Sequence, residues 1–427
     1  MTCDYSGAAR AAYKSMVACF GNEKCSDYWK LGNAFDSLTD YMRWWSGPDI
    51  ALPSIVYQRY RTLTDPNSLH RSDCWYDDYG WWGIASAKAY DPAYDFFFTG
   101  EYKHNFQQIA QFCWRTMNEG KPYSTSGWKY KGAPNVWTNR DNGNPDVNYW
   151  NKKENWATPR FDNGVGSGLH GVWQYEIFRE KRLNECSPAD ENPSDPKHVL
   201  LGPFQLTVVN ALYFLLALRL YNVAKDQSVR QPILDEYGFL RAWFSKALGE
   251  NSLLLSFGDL SVPPKLLVRE RVTTYAEIDG EYPQVKQWAN QLGACWNGDQ
   301  GLMIAALVEV VRMFNDPTAA DNALSILKGV VTEMVDQNRV LQPYIGPMGD
   351  WNDYKCGVGI FARCLLYAYS QPNSPLKAPI DQNKDDIRAV LLASANDACN
   401  NAPYDDLFDN LNLLSLLTAA KMLGAIS

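Results

Sequence analysis

Apolar residues recur at helical spacing along nearly the whole of this chain. Ile304, Leu307, Val308 and Val311 fall at i, i+3, i+4 and i+7. Leu327, Val330, Val331 and Met334 repeat the pattern, as do Leu413, Leu416, Leu417 and Ala420. Each set places its side chains on one face of a helix, and that apolar stripe must be covered by another element. Long runs of alternating apolar and polar residues, the mark of half-buried strands, are missing from the sequence. The pattern predicts an all-α fold in which helices bury their stripes against other helices.

The helices come in a weak repeat of helix, short polar turn, helix. One copy runs from Trp81 to Met117 and turns near Thr99-Gly100-Glu101. A second runs from Leu206 to Phe244 and turns near Lys225-Asp226. A third runs from Gly301 to Val335 and turns at Asn315-Asp316-Pro317. In that last turn Asp316 is suited to cap the following helix and Pro317 to occupy its first position. Further helices are expected at Tyr5–Cys19, Trp29–Trp45, Gly357–Tyr369, Asp385–Ala395 and Asp406–Leu423. The total is about eleven or twelve helices, close to six hairpins. Hairpins repeated in one chain can close into a ring with an inner and an outer helix layer. No linker or low-complexity segment divides the chain, so residues 1–427 are read as a single domain. Two stretches lack the helical period, Gly120 to Val172 and Gly249 to Trp296. Irregular loops of that length in a compact domain are usually functional, which predicts a working face at one end of the ring.

Charge and cysteines narrow the function classes. The formal net charge of −8 argues against nucleic acid or an anionic membrane surface as partner and suits a neutral substrate. The longest apolar stretch, Val208 to Leu220, is interrupted by Asn210 and Arg219. It falls short of the roughly 18 residues that a membrane span needs. The opening Met1-Thr2-Cys3-Asp4-Tyr5 has no signal-peptide pattern. The ten cysteines include no C-x-x-C pair and only four histidines accompany them, which predicts no metal site. An even cysteine count favours disulfides, and so a secreted or periplasmic protein whose leader is absent from this chain. The pairing is not readable from sequence. A monomer without a cofactor is expected.

The chemistry-bearing stretch is Cys74-Trp75-Tyr76-Asp77-Asp78-Tyr79-Gly80-Trp81-Trp82-Gly83. Adjacent carboxyls repel each other, and each disfavours ionisation of the other. At a helix start an acidic pair is ordinary, because the helix dipole welcomes it. Setting the pair among five large rings is not ordinary. Aromatic faces stack on sugar rings, and paired carboxyls about 5–5.5 Å apart break glycosidic bonds with retention. Asp77 and Asp78 are therefore the candidate catalytic pair. Asn33 and Asp36, at i and i+3, share a helix face on which they could meet substrate. Asp299 and Gln300 sit at a helix start, where they either bind hydroxyls or cap the helix. The long loop offers Trp128, Trp137, Trp150 and Trp156 with Asn139, Asp141, Asn144 and Asp146. His170, Asp279, Asp350 and Asp353 have loop or turn chemistry as their default explanation.

The stretch Trp75–Ala85 resembles the signature of glycoside hydrolase family 76, the endo-α-1,6-mannanases, in which consecutive aspartates precede a Trp-Trp pair. Other segments resemble that family in the same order. They are Trp29 to Tyr41, Gly166 to Trp173, Asn210 to Ala217, Asn297-Gly298-Asp299-Gln300-Gly301 and Gly359-Ile360-Phe361-Ala362-Arg363. The resemblance spans about residues 28–370. It implies an (α/α)6 barrel, a six-hairpin toroid. It also implies retaining endo-hydrolysis of α-1,6-linked mannan, with Asp77 as nucleophile, Asp78 as acid/base and no cofactor. The polysaccharide or oligosaccharide would meet Asn33, Asp36, Trp75, Tyr76, Tyr79, Trp81, Trp82, Trp173, Asp299 and Gln300. The chain departs from the family at Val358, where Lys is usual, at Asp299, where Asn is usual, at His170, and in the length of the loop Gly120 to Asn163. Those departures bear on linkage and chain length more than on reaction type. The competing readings are a transglycosidase or a glycosidase of another α-linkage on the same fold, and a non-catalytic glycan-binding protein. An epimerase would need a histidine pair, which the four histidines do not supply.

Overall fold

The apolar stripes meet in a closed ring. The computed structural model describes residues 3–47, 49–65, 67, 69, 71, 76–94, 98–118, 207–244, 253–257, 264–270, 274–279, 282–287, 295–346, 352–382, 384–402 and 404–426. Among these the helices are α1 (Tyr5–Gly21), α2 (Tyr28–Tyr41), α3 (Leu52–Leu63), α4 (Tyr76–Tyr90), α5 (Gly100–Asn118), α6 (Thr207–Ala224) and α7 (Arg230–Trp243). They continue as α8 (Asn297–Phe314), α9 (Pro317–Glu333), α10 (Gly357–Ser370), α11 (Lys377–Gln382), α12 (Lys384–Asn400) and α13 (Leu407–Met422). Helix α2 packs on α4, α4 on α6, α6 on α8, α8 on α10, α10 on α13, and α13 returns to α2. A second layer lies outside: α1 on α13 and α2, α5 on α4, α7 on α6, α9 on α8, α12 on α13, with α3 between α1 and α5. This is the expected (α/α)6 barrel.

Burial separates the two layers. Every residue of α6 from Thr207 to Leu220 is buried, whereas outer α1 buries only Ala9, Ala12, Met16 and Phe20. A helix covered on all sides must be apolar all round, and a helix covered on one side needs a single stripe. Helix α6 is also the one described helix long and apolar enough to cross a membrane. Here it is walled in by α4 and α8. Its break residue Arg219 is buried and donates Nη1 to the Ile84 carbonyl at 2.8 Å.

The inner helices run parallel. Tyr28 at the start of α2 lies 5.6 Å from Trp82 near the middle of α4, and Lys88 late in α4 reaches Asp40 late in α2 at 2.8 Å. Glu309 late in α8 accepts from the Tyr367 hydroxyl late in α10 at 2.9 Å, and the Gly359 N–H early in α10 donates to Asn412 early in α13 at 2.8 Å. Asn222 late in α6 likewise donates to Glu309 at 2.5 Å, and Arg363 midway along α10 meets Asp36 midway along α2, so all six inner helices begin at the same end, which forms the mouth. Close approach along the wall needs glycine: a Cβ on Gly301 would stand 2.6 Å from the Cα of Phe361.

Two features differ from the sequence expectation. The stretch Gly249 to Trp296 holds short antiparallel hairpins: β1 (Leu254–Phe257) on β2 (Lys265–Val268), with Leu254 opposite Val268, and β3 (Thr274–Asp279) on β4 (Tyr282–Gln287). A further short pair joins β5 (Cys295–Trp296) to β6 (Tyr344–Ile345). Strands this short leave too few alternations to register as a pattern. Helix α3 also escaped notice, because its buried face includes Arg59 beside Leu52, Val56 and Tyr60.

A disulfide links Cys3 to Cys399, with Cα atoms 6.3 Å apart. It ties the chain just before α1 to the end of α12, where the first and last hairpins meet.

Candidate active site

The carboxyl pair Asp77 and Asp78 stands in the first turn of α4, at the mouth of the barrel. A helix N-terminus presents unpaired N–H groups and partial positive charge, which favours acidic side chains there. Asp77 is half-buried, and its Oδ1 is shut off from water without a hydrogen-bond partner. Burial pushes its carboxyl up to about 7; the amides of Asp77 and Asp78 pull the other way, and the charge of Asp353 adds to the rise. Asp78 is half-buried beside it. The mouth thus holds a carboxyl poised between its two states at neutral pH, the property a proton-transfer group needs.

Asp353 reaches this position from the short 3₁₀ turn Asn352–Cys356 that leads into α10. Lys30, early in α2, lies 3.8 Å from Asp353 and 2.9 Å from Asp27. Partial burial raises the Asp353 carboxyl, Lys30 lowers it and Asp27 raises it again, with a net rise. From the sequence alone, turn chemistry accounts for Asp353. Its tie to the pair comes from two helix starts meeting at the mouth, which no local pattern announces.

The rings around the pair divide into two groups. Trp82 is fully buried; its Nε1 donates to the Tyr28 carbonyl at 2.7 Å and its ring stands edge-on to Tyr60 at 4.9 Å. Tyr79 is buried too, and its hydroxyl takes the Arg71 N–H at 2.9 Å while donating to the Arg71 carbonyl at 2.5 Å. Both are engaged within the wall. Tyr76 is buried at the helix start. Trp81 instead faces Trp296, edge-on with ring centres 6.4 Å apart, and Trp296 in turn stands 5.7 Å from Tyr354 and donates to its carbonyl at 2.9 Å. Trp81, Trp296 and Tyr354 make an aromatic arc that joins α4 to the turn carrying Asp353.

Asn33 and Asp36 lie deeper than the mouth. Arg363 of α10 donates Nε to Asp36 Oδ2 at 2.6 Å and also binds Asn33. Lys88 of α4 holds Asp36 at 2.7 Å and Asp40 at 2.8 Å, and the Tyr94 hydroxyl adds a bond to Asp40 at 2.8 Å. Burial alone would raise the Asp36 carboxyl, but Lys88, Arg363 and Arg219 outweigh it and hold the group well below the usual carboxylate range. The cations Lys88, Arg219 and Arg363 face the carboxylates Asp36, Asp40 and Glu309, all buried. Five of the six inner helices contribute to this neutral set. The sequence signal for it is the lone charge in each of two otherwise uncharged helices, Arg219 in α6 and Arg363 in α10.

Gln300 is fully buried and brackets strand β2: its Oε1 accepts from the Val268 N–H at 2.7 Å, and its Nε2 donates to the Val268 and Trp296 carbonyls at 2.6 and 3.0 Å. Asp299 is buried in the first turn of α8. Trp75 and Trp173 lie outside the described residues, as do His170 and the loop tryptophans Trp128, Trp137, Trp150 and Trp156. Among the described residues no group of three or more His, Cys, Asp or Glu side chains could hold a metal ion.

A closed ring of six inner and six outer helices, with acidic side chains at its mouth, defines an (α/α)6 barrel. Among solved structures the chain is similar to the GH76A alpha-1,6-mannanase from Salegentibacter sp. HEL1_6, with a TM-score of 0.57 and 15% identity over 98% of this chain and 100% of that one. An inactive variant of that enzyme, with two consecutive aspartates replaced and alpha-1,6-mannotetrose bound, matches with a TM-score of 0.57 and 14% identity, covering 98% and 99%. Dfg5 from Chaetomium thermophilum, in complex with glucosamine, matches with a TM-score of 0.54 and 14% identity, covering 92% of this chain and 80% of that one. No protein-family model matches the sequence, and no curated protein is similar to it. The chain has the fold of the family 76 α-mannanases.

Proposed function

We propose that this chain is a retaining endo-glycosidase that hydrolyses the α-1,6-linked backbone of α-mannan, working as a single domain and a monomer. The observation that carries the reading is the carboxyl pair at the barrel mouth, with one member held near neutral pH by burial. A retaining reaction needs one carboxylate to attack the anomeric carbon and one carboxylic acid to protonate the leaving oxygen. The acid then serves as base for the water that releases the glycosyl-enzyme. The family resemblance makes Asp77 the nucleophile and Asp78 the acid/base. Burial raises the Asp77 carboxyl, so its part as nucleophile requires it to be ionised when sugar binds. Trp81 is itself buried against Trp296, so its proposed part is to back the sugar site from behind the carboxyl pair. The Cys3–Cys399 disulfide fits a secreted or periplasmic protein.

The test is digestion of linear α-1,6-mannan with products followed by NMR. Internal cleavage that first releases α-configured ends is the expected result. Products that are β-configured at first exclude retention, and binding without cleavage makes the protein a glycan-binding module. The likeness to a glucosamine-bound protein favours one second reading, transfer to a glucosamine-bearing acceptor. Products longer than the input, formed only when such an acceptor is added, would establish it.

A further inference from the structure

The connection between α1 and α2 brings two cysteines together. Cys19 lies in the last turn of α1, and Cys25 lies in the loop before α2. Two successive turns fold this loop back on the helix end. The Asn22 N–H donates to the Cys19 carbonyl at 3.2 Å, and the Cys25 N–H donates to the Asn22 carbonyl at 3.0 Å. Arg59 of α3, itself buried, then clamps the loop from below. Its Nη2 donates to the carbonyls of Asn22, Glu23 and Cys25 at 3.0, 3.4 and 2.7 Å. The loop is thereby turned back on the helix end, with the Cys25 thiol beside that of Cys19. Burial first, and the neighbouring thiol second, push Cys19 up to about 12. Both cysteines are half-buried, in contrast to Cys113, Cys295, Cys356 and Cys364, which are buried.

We infer that Cys19 and Cys25 form a second disulfide, closed in the same oxidising compartment as Cys3–Cys399. Cysteines held side by side on one short, clamped loop can reach the S–S bond length of about 2.05 Å by a local adjustment of that loop. The oxidant is a disulfide of the compartment, either oxidised glutathione or a dithiol oxidoreductase. One thiolate attacks a sulfur of that disulfide and releases one thiol, leaving a mixed disulfide on the protein. The other protein thiolate attacks the protein sulfur of the mixed disulfide and releases the second thiol. Two S–H bonds are lost from the protein, one S–S bond forms, and both protons and both electrons end on the two released thiols. The bond would fasten the loop directly ahead of Asp27 and Lys30, the residues that run from α2 to Asp353 at the mouth.

Lys24 makes the test simple, because trypsin cuts between the two cysteines and puts them on separate peptides, 15–24 and 25–30. The full chain is incubated with oxidised glutathione, blocked with iodoacetamide under denaturing conditions, digested and analysed by mass spectrometry without reductant. The expected result is that the two peptides travel as one linked species and separate only after dithiothreitol. Cys25→Ser should return Cys19 to free, alkylatable form. Wild-type protein in which both peptides run apart with alkylated cysteines, or in which Cys19 is linked to a different cysteine, overturns the inference.

Discussion

Arg363 and Asp36 meet at 2.6 Å inside the barrel although 327 positions separate them in sequence. Their contact joins the first inner helix to the fifth and anchors a buried set of charges that includes Lys88, Asp40, Arg219 and Glu309. Buried ion pairs contribute little net stability, because desolvation consumes most of the attraction, but removing one partner strands the other. Arg363→Leu is therefore expected to cost about 3–5 kcal/mol in a urea unfolding curve. A loss under about 1 kcal/mol would mean the network is not sharing charge as described.

The same pair predicts an acid dependence. Asp36 has a folded pKa held below its unfolded value, so its contribution is complete above the unfolded value near ~3.9 and is lost as pH falls below it. Unfolding curves between neutral pH and pH ~3 should show wild type losing stability in the acid range, and Asp36→Asn losing less.

Asp77 has the opposite sign. Its folded pKa of about 7 lies above the unfolded value of 3.8, so stability is greatest while it is protonated and declines as pH rises toward 7. Asp77→Asn should flatten that decline and be more stable than wild type at pH 8, by on the order of 1–2 kcal/mol after allowing for its partial exposure. Thermal melts at two pH values decide it.

Activity should follow the pair. Asp77→Asn and Asp78→Asn are each expected to reduce α-1,6-mannan cleavage by at least about 10²–10⁴-fold with the fold intact. Azide rescue with an activated α-glycoside assigns the roles, since α-azide product marks loss of the acid/base and β-azide product marks loss of the nucleophile. Asp353→Asn removes a negative charge that raises Asp77, so the pH profile should move toward lower pH. An unmoved profile would place Asp353 outside the field of the pair.

Gly301→Ala tests the spacing of α8 and α10. The added methyl would stand 2.6 Å from the Phe361 Cα, which cannot swing aside as a side chain would. A loss of about 1–3 kcal/mol by calorimetry or denaturant is expected.

The helices were legible because a helix is a local object. The stripe at Ile304, Leu307, Val308 and Val311 became α8, and Asp316 caps α9 through the Thr318 N–H at 2.8 Å just as its place before Pro317 predicts. Asp77 and Asp78 stood out for the same reason, since their neighbours in sequence are also their neighbours in space. The hairpins between Leu254 and Gln287 were not legible, because pairing partners across a turn leave little pattern in four to six residues. The spacing of Asn33 and Asp36 gives them one face, toward substrate or toward solvent, and nothing local reveals that Arg363 binds both.

Spacing and local chemistry in the sequence were enough for the helical class, most helix ends and the acidic pair. Ring closure alone decided which charges would meet across the barrel, which tryptophans would be spent in its wall, and that Asp353 would stand near Asp77. Those contacts depend on helices hundreds of residues apart arriving side by side, and that information exists only once the ring has formed.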